Sequence, residues 1–315
     1  MTQLDRRTLL RAGLTTSLLA ALPVSSSASE TQPDISGKSI LITGASSGFG
    51  RLGALYYAGL GAKVIATMRN LPRPEADQLR AITEERHLDL HLVELDVLNE
   101  ASVNAGVAKA VALIGHVPDV IVNNAGLAIV GPVEAQDDAA MRLAYETNVF
   151  GYQRLHRAVL PAMKVRKSGH IINMSSQSGR LIYPGLGQYC PTKFAIEAMS
   201  ESLAYEVAPF GIDITIIQPG GYPTEFWRNR ETYTAALKAR ANPANLEGYG
   251  TMSEQMGSGN IPKLKGDPLD VPRAIALAIA ASRETKSLRV MVSAGGHPQT
   301  DINQINRETH LKFLG

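Results

Sequence analysis

The sequence predicts an α/β fold: a doubly wound, seven-stranded parallel sheet with helices on both faces. From Ser36 onward, short and nearly continuous apolar runs alternate with helical stretches, and strands apolar along their whole length belong to parallel sheets covered on both sides. The first run stops at a glycine-rich turn that opens a helix, the place where such sheets bind anions. With 315 residues, 44% hydrophobic and 19% charged, the chain can build one large core.

The run "SILITG" (39–44) is β-branched and ends at Gly44, so it reads as the first strand. "GRLGALYYAGLG" supplies a helix closed by Gly59 or Gly61. "AKVIATMR" is the second strand and "LHLVELDV" the third, followed by a helix over 99–114 and the strand "DVIVNNAG". A long helix from Asp137 to Leu160 is expected to end at Pro161, which lacks the amide hydrogen a helix interior needs. The strand "HIINMSS", a helix starting near Tyr189 and the strand "DITIIQPGG" come next, and "DVPRAIALAIAAS" and "LRVMVS" close the series. Residues 222–266 break this rhythm, with Gly, Pro, Asn and Met and weak helical periodicity around "RETYTAALKARA". A loop that long after a sheet strand reads as a lid over a ligand site. No boundary is placed inside residues 36–315, which are expected to form one domain, and no internal repeat is visible.

The net charge of +2, without a long run of like charges, argues against a nucleic-acid surface or an acidic partner. The single cysteine, Cys190, excludes an internal disulfide. At the N-terminus "LDRRTLLRAG" precedes the moderately apolar "LTTSLLAAL" and the small residues Ser26, Ser27 and Ala28. Residues 1–28 therefore read as an export signal, with Arg6 and Arg7 resembling the twin-arginine type, which carries folded proteins across the inner membrane to the periplasm. A general secretory signal and a retained basic helix in a cytoplasmic protein are the competing readings. The run is too short and too rich in Ser and Thr to anchor in a bilayer. Cleavage after Ala28 removes three arginines and one aspartate and leaves the mature chain near neutral.

Tyr189 and Lys193 are four residues apart, which on a helix puts them on one face. That spacing alone is more often ordinary packing, but an ammonium beside a phenol also lowers the phenol's pKa and makes it a proton donor. The surrounding motifs decide between the two. Thr43-Gly44-x-x-x-Gly48-x-Gly50, Asp96 after the third strand, Asn123-Asn124-Ala125-Gly126, Asn148 in "TNVFG", a Ser in "NMSS", the Tyr-Lys pair and Pro219-Gly220 follow one another in order. In this order and spacing, from about Ser36 to Ser293, the sequence resembles the short-chain dehydrogenase/reductases, single-domain oxidoreductases of Rossmann type.

The resemblance implies a catalytic set of Asn148, Ser176, Tyr189 and Lys193, with Ser176 preferred to Ser175 because the family serine lies thirteen residues before the tyrosine. Tyr189 would exchange a proton with the carbonyl or alcohol oxygen, and Ser176 would hold that oxygen. Lys193 and the cationic oxidised nicotinamide would both lower the phenol's pKa, Lys193 would also bind the nicotinamide ribose, and Asn148 would hold a water relaying protons to Lys193. The same resemblance places the nucleotide on Thr43, Gly44, Ser46, Ser47, Gly48, Phe49 and Gly50 of the first turn. It adds Arg69 after the second strand, Asp96 and Val97 after the third, and Asn123, Ala125 and Gly126 after the fourth. Asn148, Tyr189, Lys193, Pro219, Gly220 and Thr224 complete the set. Met68 stands where NAD-preferring relatives carry an aspartate and Arg69 follows, so the cofactor is read as NADP. If Arg69 is only a solvated loop residue, NAD is accepted as well.

Ser176, Tyr189, Phe226 and Trp227 are the expected substrate contacts, and the lid aromatics, with Tyr233, suggest an apolar carbonyl or alcohol. They would serve equally to anchor the lid. Two departures from the family pattern, Phe49 and the Cys190-Pro191 pair, touch no catalytic group. The seven histidines suggest no metal site, His87 and His91 being surface residues at a helix-to-strand junction. Family members assemble as homodimers or homotetramers through the long helices, and the same is expected here. A non-catalytic nucleotide sensor or scaffold on the same fold is the alternative function, but such proteins usually lose part of the catalytic set.

Overall fold

The computed structural model describes residues 32–314, so the expected export signal lies outside the described residues. Seven strands, β1 (Ser39–Ile42), β2 (Lys63–Met68), β3 (Leu90–Glu94), β4 (Val120–Asn123), β5 (Gly169–Met174), β6 (Ile212–Pro219) and β7 (Arg289–Val292), match the seven expected runs. They form one sheet in the order β3-β2-β1-β4-β5-β6-β7, and every pairing is parallel. The chain reverses its winding between β1 and β4, which opens a crevice at the strands' C-terminal ends.

Side chains on each strand alternate between two cores, as a two-residue period requires. Ile40 and Ile42 of β1 face a layer built by α1 (Gly48–Gly59) and α9 (Asp270–Ala280), where Tyr57, Val271 and Ile275 are buried. Leu41 points to the opposite layer of α3 (Glu100–Ile114), α5 (Gly151–Arg166) and α6 (Tyr189–Val207), packed through Val103, Leu155 and Leu203. Helix α2 (Pro74–Glu85) crosses between β2 and β3, with Ala76 and Leu79 turned inward.

Three expectations need correction. First, Pro161 does not end its helix: α4 (Asp138–Tyr145) continues through a π turn (Glu146–Phe150) into α5, which runs to Arg166. Pro161 and Arg157 both lie on the exposed face, so the carbonyl that loses its partner faces water. Burial of Val159 and Met163 on the opposite face outweighs the defect. Second, the 222–266 segment is not irregular, because α7 (Phe226–Arg240) fills its first half and a short turn, α8 (Thr251–Glu254), follows. Third, β7 is not the last element, since α10 (Thr300–Leu314) packs back onto the sheet edge. Its Asn303 donates to Gln218 Oε1 at 2.8 Å, and His310 meets Glu201 at 2.8 Å. It lacks a strong apolar stripe and is held by polar contacts, so periodicity gave no sign of it.

Candidate active site

The crevice at the β1/β4 reversal is a cleft of about 770 Å³, floored by the strand ends and roofed by the 222–266 segment. Its floor begins at the glycine turn. Gly44 and Gly48 adopt φ of +71° and +54°, conformations costly for any residue with a Cβ. A Cβ on Gly50 would fall 2.2 Å from the Gly44 carbonyl oxygen, so the chain passes there only as glycine. Ser47 caps α1 without a side-chain hydrogen bond and the first turn holds no acid. The free N–H groups and positive dipole end thus face the cleft, a site fitted to a pyrophosphate.

Across the crevice, Thr43 Oγ1 accepts the amide hydrogens of Asn124 and Ala125, both at 3.0 Å, and Asn124 Nδ2 donates to the Thr43 carbonyl at 2.8 Å. Thr43 is therefore a buried tie between β1 and β4, and it does not line the cleft. Asn123 is also turned away: its amide donates to Asn173 Oδ1 at 2.8 Å, beside His156, and Asn173 donates to Ser200 Oγ at 2.8 Å. Gly50 serves the turn from behind. Of the other residues read as nucleotide contacts, Gly44, Ser46, Ser47, Gly48, Phe49, Arg69, Asp96, Val97, Ala125, Gly126, Pro219, Gly220 and Thr224 line the cleft.

Ser176, Tyr189 and Lys193 line the cleft together with Phe226 and Trp227. Ser176 follows β5 and caps the short turn Gln177–Gly179, accepting the Ser178 amide hydrogen at 3.1 Å. Its hydroxyl also acts on the Tyr189 phenol, lowering the phenol's pKa. Ser175 lines the cleft as well but is buried, whereas Ser176 is partly exposed. Lys193 Nζ stands 5.6 Å from the Tyr189 ring centroid and donates to the Met174 carbonyl at 2.8 Å, which also accepts from the Tyr152 hydroxyl at 3.2 Å.

The electrostatics differ from the expected lowering of the phenol's pKa. Burial pushes Tyr189 well above a free phenol, and the Ser176 hydrogen bond returns only part of that shift. Burial also lowers Lys193 to about 7, against a partial opposing effect from Glu197. A lysine this depressed is only partly charged near neutrality, so it supplies less cation to its neighbour than the sequence alone suggests.

Asn148 sits within the π turn, fully buried. Its Oδ1 accepts from Leu127 N–H at 2.9 Å, and its amide donates to the Leu127 carbonyl at 2.9 Å and Thr192 Oγ1 at 3.0 Å. Both amide hydrogens are committed, so the side chain clamps the loop after β4 to α6. The π turn is the local device that brings it there.

Phe226 stands 6.0 Å from the Tyr189 ring, and the Trp227 indole donates to the Tyr222 carbonyl at 2.7 Å, tying the start of α7 to the loop after β6. Arg73, Asn124, Tyr183, Arg230, Met252 and Met256 also line the cleft. Sequence reading missed them as site residues. Asn124 stood within a recognised motif, but the others come from loops and the lid, where no periodicity points.

A family model described as short chain dehydrogenase matches residues 38–234. An uncharacterized oxidoreductase, YusZ of Bacillus subtilis (strain 168), is 36% identical over 261 residues, 82% of this chain and 90% of that protein. Human retinol dehydrogenase 8 is 40% identical over 192 residues, 60% of each chain. A solved short-chain dehydrogenase from Streptomyces avermitilis superposes with a TM-score of 0.68 at 33% identity, covering 89% of this chain and 96% of the other.

Proposed function

Since the chain belongs to the short-chain dehydrogenase family of oxidoreductases, we propose that it interconverts a carbonyl and a secondary alcohol, with NADP as cofactor and an apolar substrate. The observation that carries this reading is the meeting of Ser176, Tyr189 and Lys193 in the cleft that the glycine turn opens. A nicotinamide dinucleotide held there supplies or takes up the hydride. Tyr189 gives its proton to the carbonyl oxygen in reduction and removes one from the alcohol in oxidation, while Ser176 holds the same oxygen in reach. Lys193 binds the ribose hydroxyls and biases the phenol, and Asn148 positions the loop after β4 against α6.

NADP is favoured by the end of β2, where Met68 is buried and apolar and offers no carboxylate to ribose hydroxyls. Arg69 and Arg73 line the cleft next to it. Both NADP and NAD remain within reach of a turn that reads only the pyrophosphate. The apolar substrate follows from Tyr183, Phe226, Trp227, Met252 and Met256 around the catalytic wall. It agrees with the retinol named for the human relative.

The test is NADPH and NADH oxidation by the mature protein, followed by absorbance against apolar ketones, aldehydes and quinones. NADPH turnover that Tyr189→Phe reduces by about 10³-fold supports the reading. NADPH binding without turnover on any substrate sinks it in favour of a sensor or scaffold.

We propose in addition a homodimer or homotetramer through α5 and α6, and export by the twin-arginine-like segment with the nucleotide already bound. The periplasm offers no pool to replenish that nucleotide, and a route for folded proteins lets it travel inside. Nucleotide-free protein in the exported fraction would exclude co-transport.

A further inference from the structure

Arg69 Nη2 donates to the Tyr233 hydroxyl at 3.0 Å, joining residues 164 positions apart from opposite walls of the cleft. Arg69 follows β2 and Tyr233 projects from α7; both line the cleft, as does Arg73. Arg73 is engaged elsewhere. Its Nε and Nη2 donate to Glu75 at 2.8 and 3.0 Å, and its Nη1 reaches the Arg69 carbonyl at 3.5 Å. Among the described residues no carboxylate pairs with Arg69, and the hydroxyl proton of Tyr233 meets no acceptor. One wall therefore offers an uncompensated guanidinium and the other a phenol donor.

The phenol is held in place. On either side of it, Glu231 takes hydrogen bonds from Arg230 at 3.0 Å and from the Gly259 amide at 3.3 Å, and Thr234 Oγ1 accepts the Val130 amide hydrogen at 3.1 Å. Leu237, one turn on, is fully buried. A donor fixed this way loses little freedom when a ligand arrives.

We propose that Tyr233 is a specificity-determining residue which, with Arg69, forms a two-walled clasp for the phosphate monoester on the adenosine ribose of the nucleotide. This rests on the NADP reading and deepens it by adding a partner from the lid. A phosphate dianion accepts from both donors at once through charge-assisted hydrogen bonds, whereas a neutral ribose hydroxyl gains little from either. The lid thus takes part in choosing the nucleotide as well as the substrate.

The test is calorimetric titration of the wild type, Tyr233→Phe and Arg69→Gln with NADPH, NADH and adenosine 2′,5′-bisphosphate. The expected result is that Tyr233→Phe weakens NADPH and the bisphosphate by about ten-fold and changes NADH less than two-fold. Arg69→Gln is expected to weaken the same two ligands more. If the wild type prefers NADPH and Tyr233→Phe leaves that preference intact, or weakens both dinucleotides alike, the clasp is wrong while the NADP reading stands. If the wild type binds NADH as tightly as NADPH and Arg69→Gln changes neither, the NADP reading fails and the clasp falls with it.

Discussion

At Tyr189 the physical question is which of two effects controls a phenol, burial or a neighbouring ammonium. Burial wins here, because Lys193 is buried too and its own charge is destabilised to a pKa of about 7. A phenol pushed upward keeps its proton at neutral pH, the state needed to protonate a carbonyl. Oxidation of an alcohol needs the phenolate and must gain with rising pH. Carbonyl reduction is therefore expected to stay level between about pH 6 and pH 8 while alcohol oxidation climbs across the same range. Profiles of kcat/KM in both directions check this, and reduction that climbs with pH would refute it. That Tyr189, Lys193 and Ser176 belong together was implied by the family resemblance; the sign of the shift was not, because desolvation depends on atoms contributed by distant strands.

Among the elements, the α4–α5 helix shows most clearly where local rules yield. Proline in a helix interior removes a hydrogen bond and crowds the carbonyl four residues back. Sequence reading stopped the helix at Pro161 for that reason, yet α5 continues five residues further with Val159 and Met163 packed on the sheet. The proline thus costs stability in place. Pro161→Ala returns an amide hydrogen to the Arg157 carbonyl but gives the unfolded chain more freedom, so a net gain of about 1–2 kcal/mol is expected. Urea unfolding measures it, and an unchanged midpoint would mean the helix has already relaxed around the ring. The π turn in the same helix had no sequence signal beyond the Asn148 motif, because the clamp needs Leu127 and Thr192 to be in place first.

For the whole molecule, the two cores enclose polar groups that set its response to acid. His156 and His170 are fully enclosed, and burial holds their pKa values at about 4 and about 3, below the ordinary 6.5. Below pH 6.5 the unfolded chain takes up protons that the native rings refuse. This contribution to stability is complete above pH 6.5 and is lost as pH falls toward 4 and 3. The loss should reach about 1.4 kcal/mol per pH unit for each ring. Chemical denaturation at stepped pH is expected to show this slope, and a double variant, His156→Gln with His170→Gln, to flatten it; an equal slope in the variant would place the acid sensitivity elsewhere. Lys193 acts in the same sense at higher pH, its contribution being complete above 10.5 and lost as pH falls toward 7.

Patterns that repeat over a few residues were determined by the sequence alone. The seven strands follow from apolar runs, the anion turn from Gly44, Gly48 and Gly50, and the Tyr189–Lys193 pair from one helical turn. Each rests on backbone geometry that the chain carries wherever it goes. Folding settled the rest: Thr43 and Asn123 turned from the cleft into ties behind it, α10 docked by polar contacts, and Tyr233 met Arg69 across the cleft. These depend on which distant segments share a wall and how much water they exclude, and neither quantity exists until the sheet has closed its two cores.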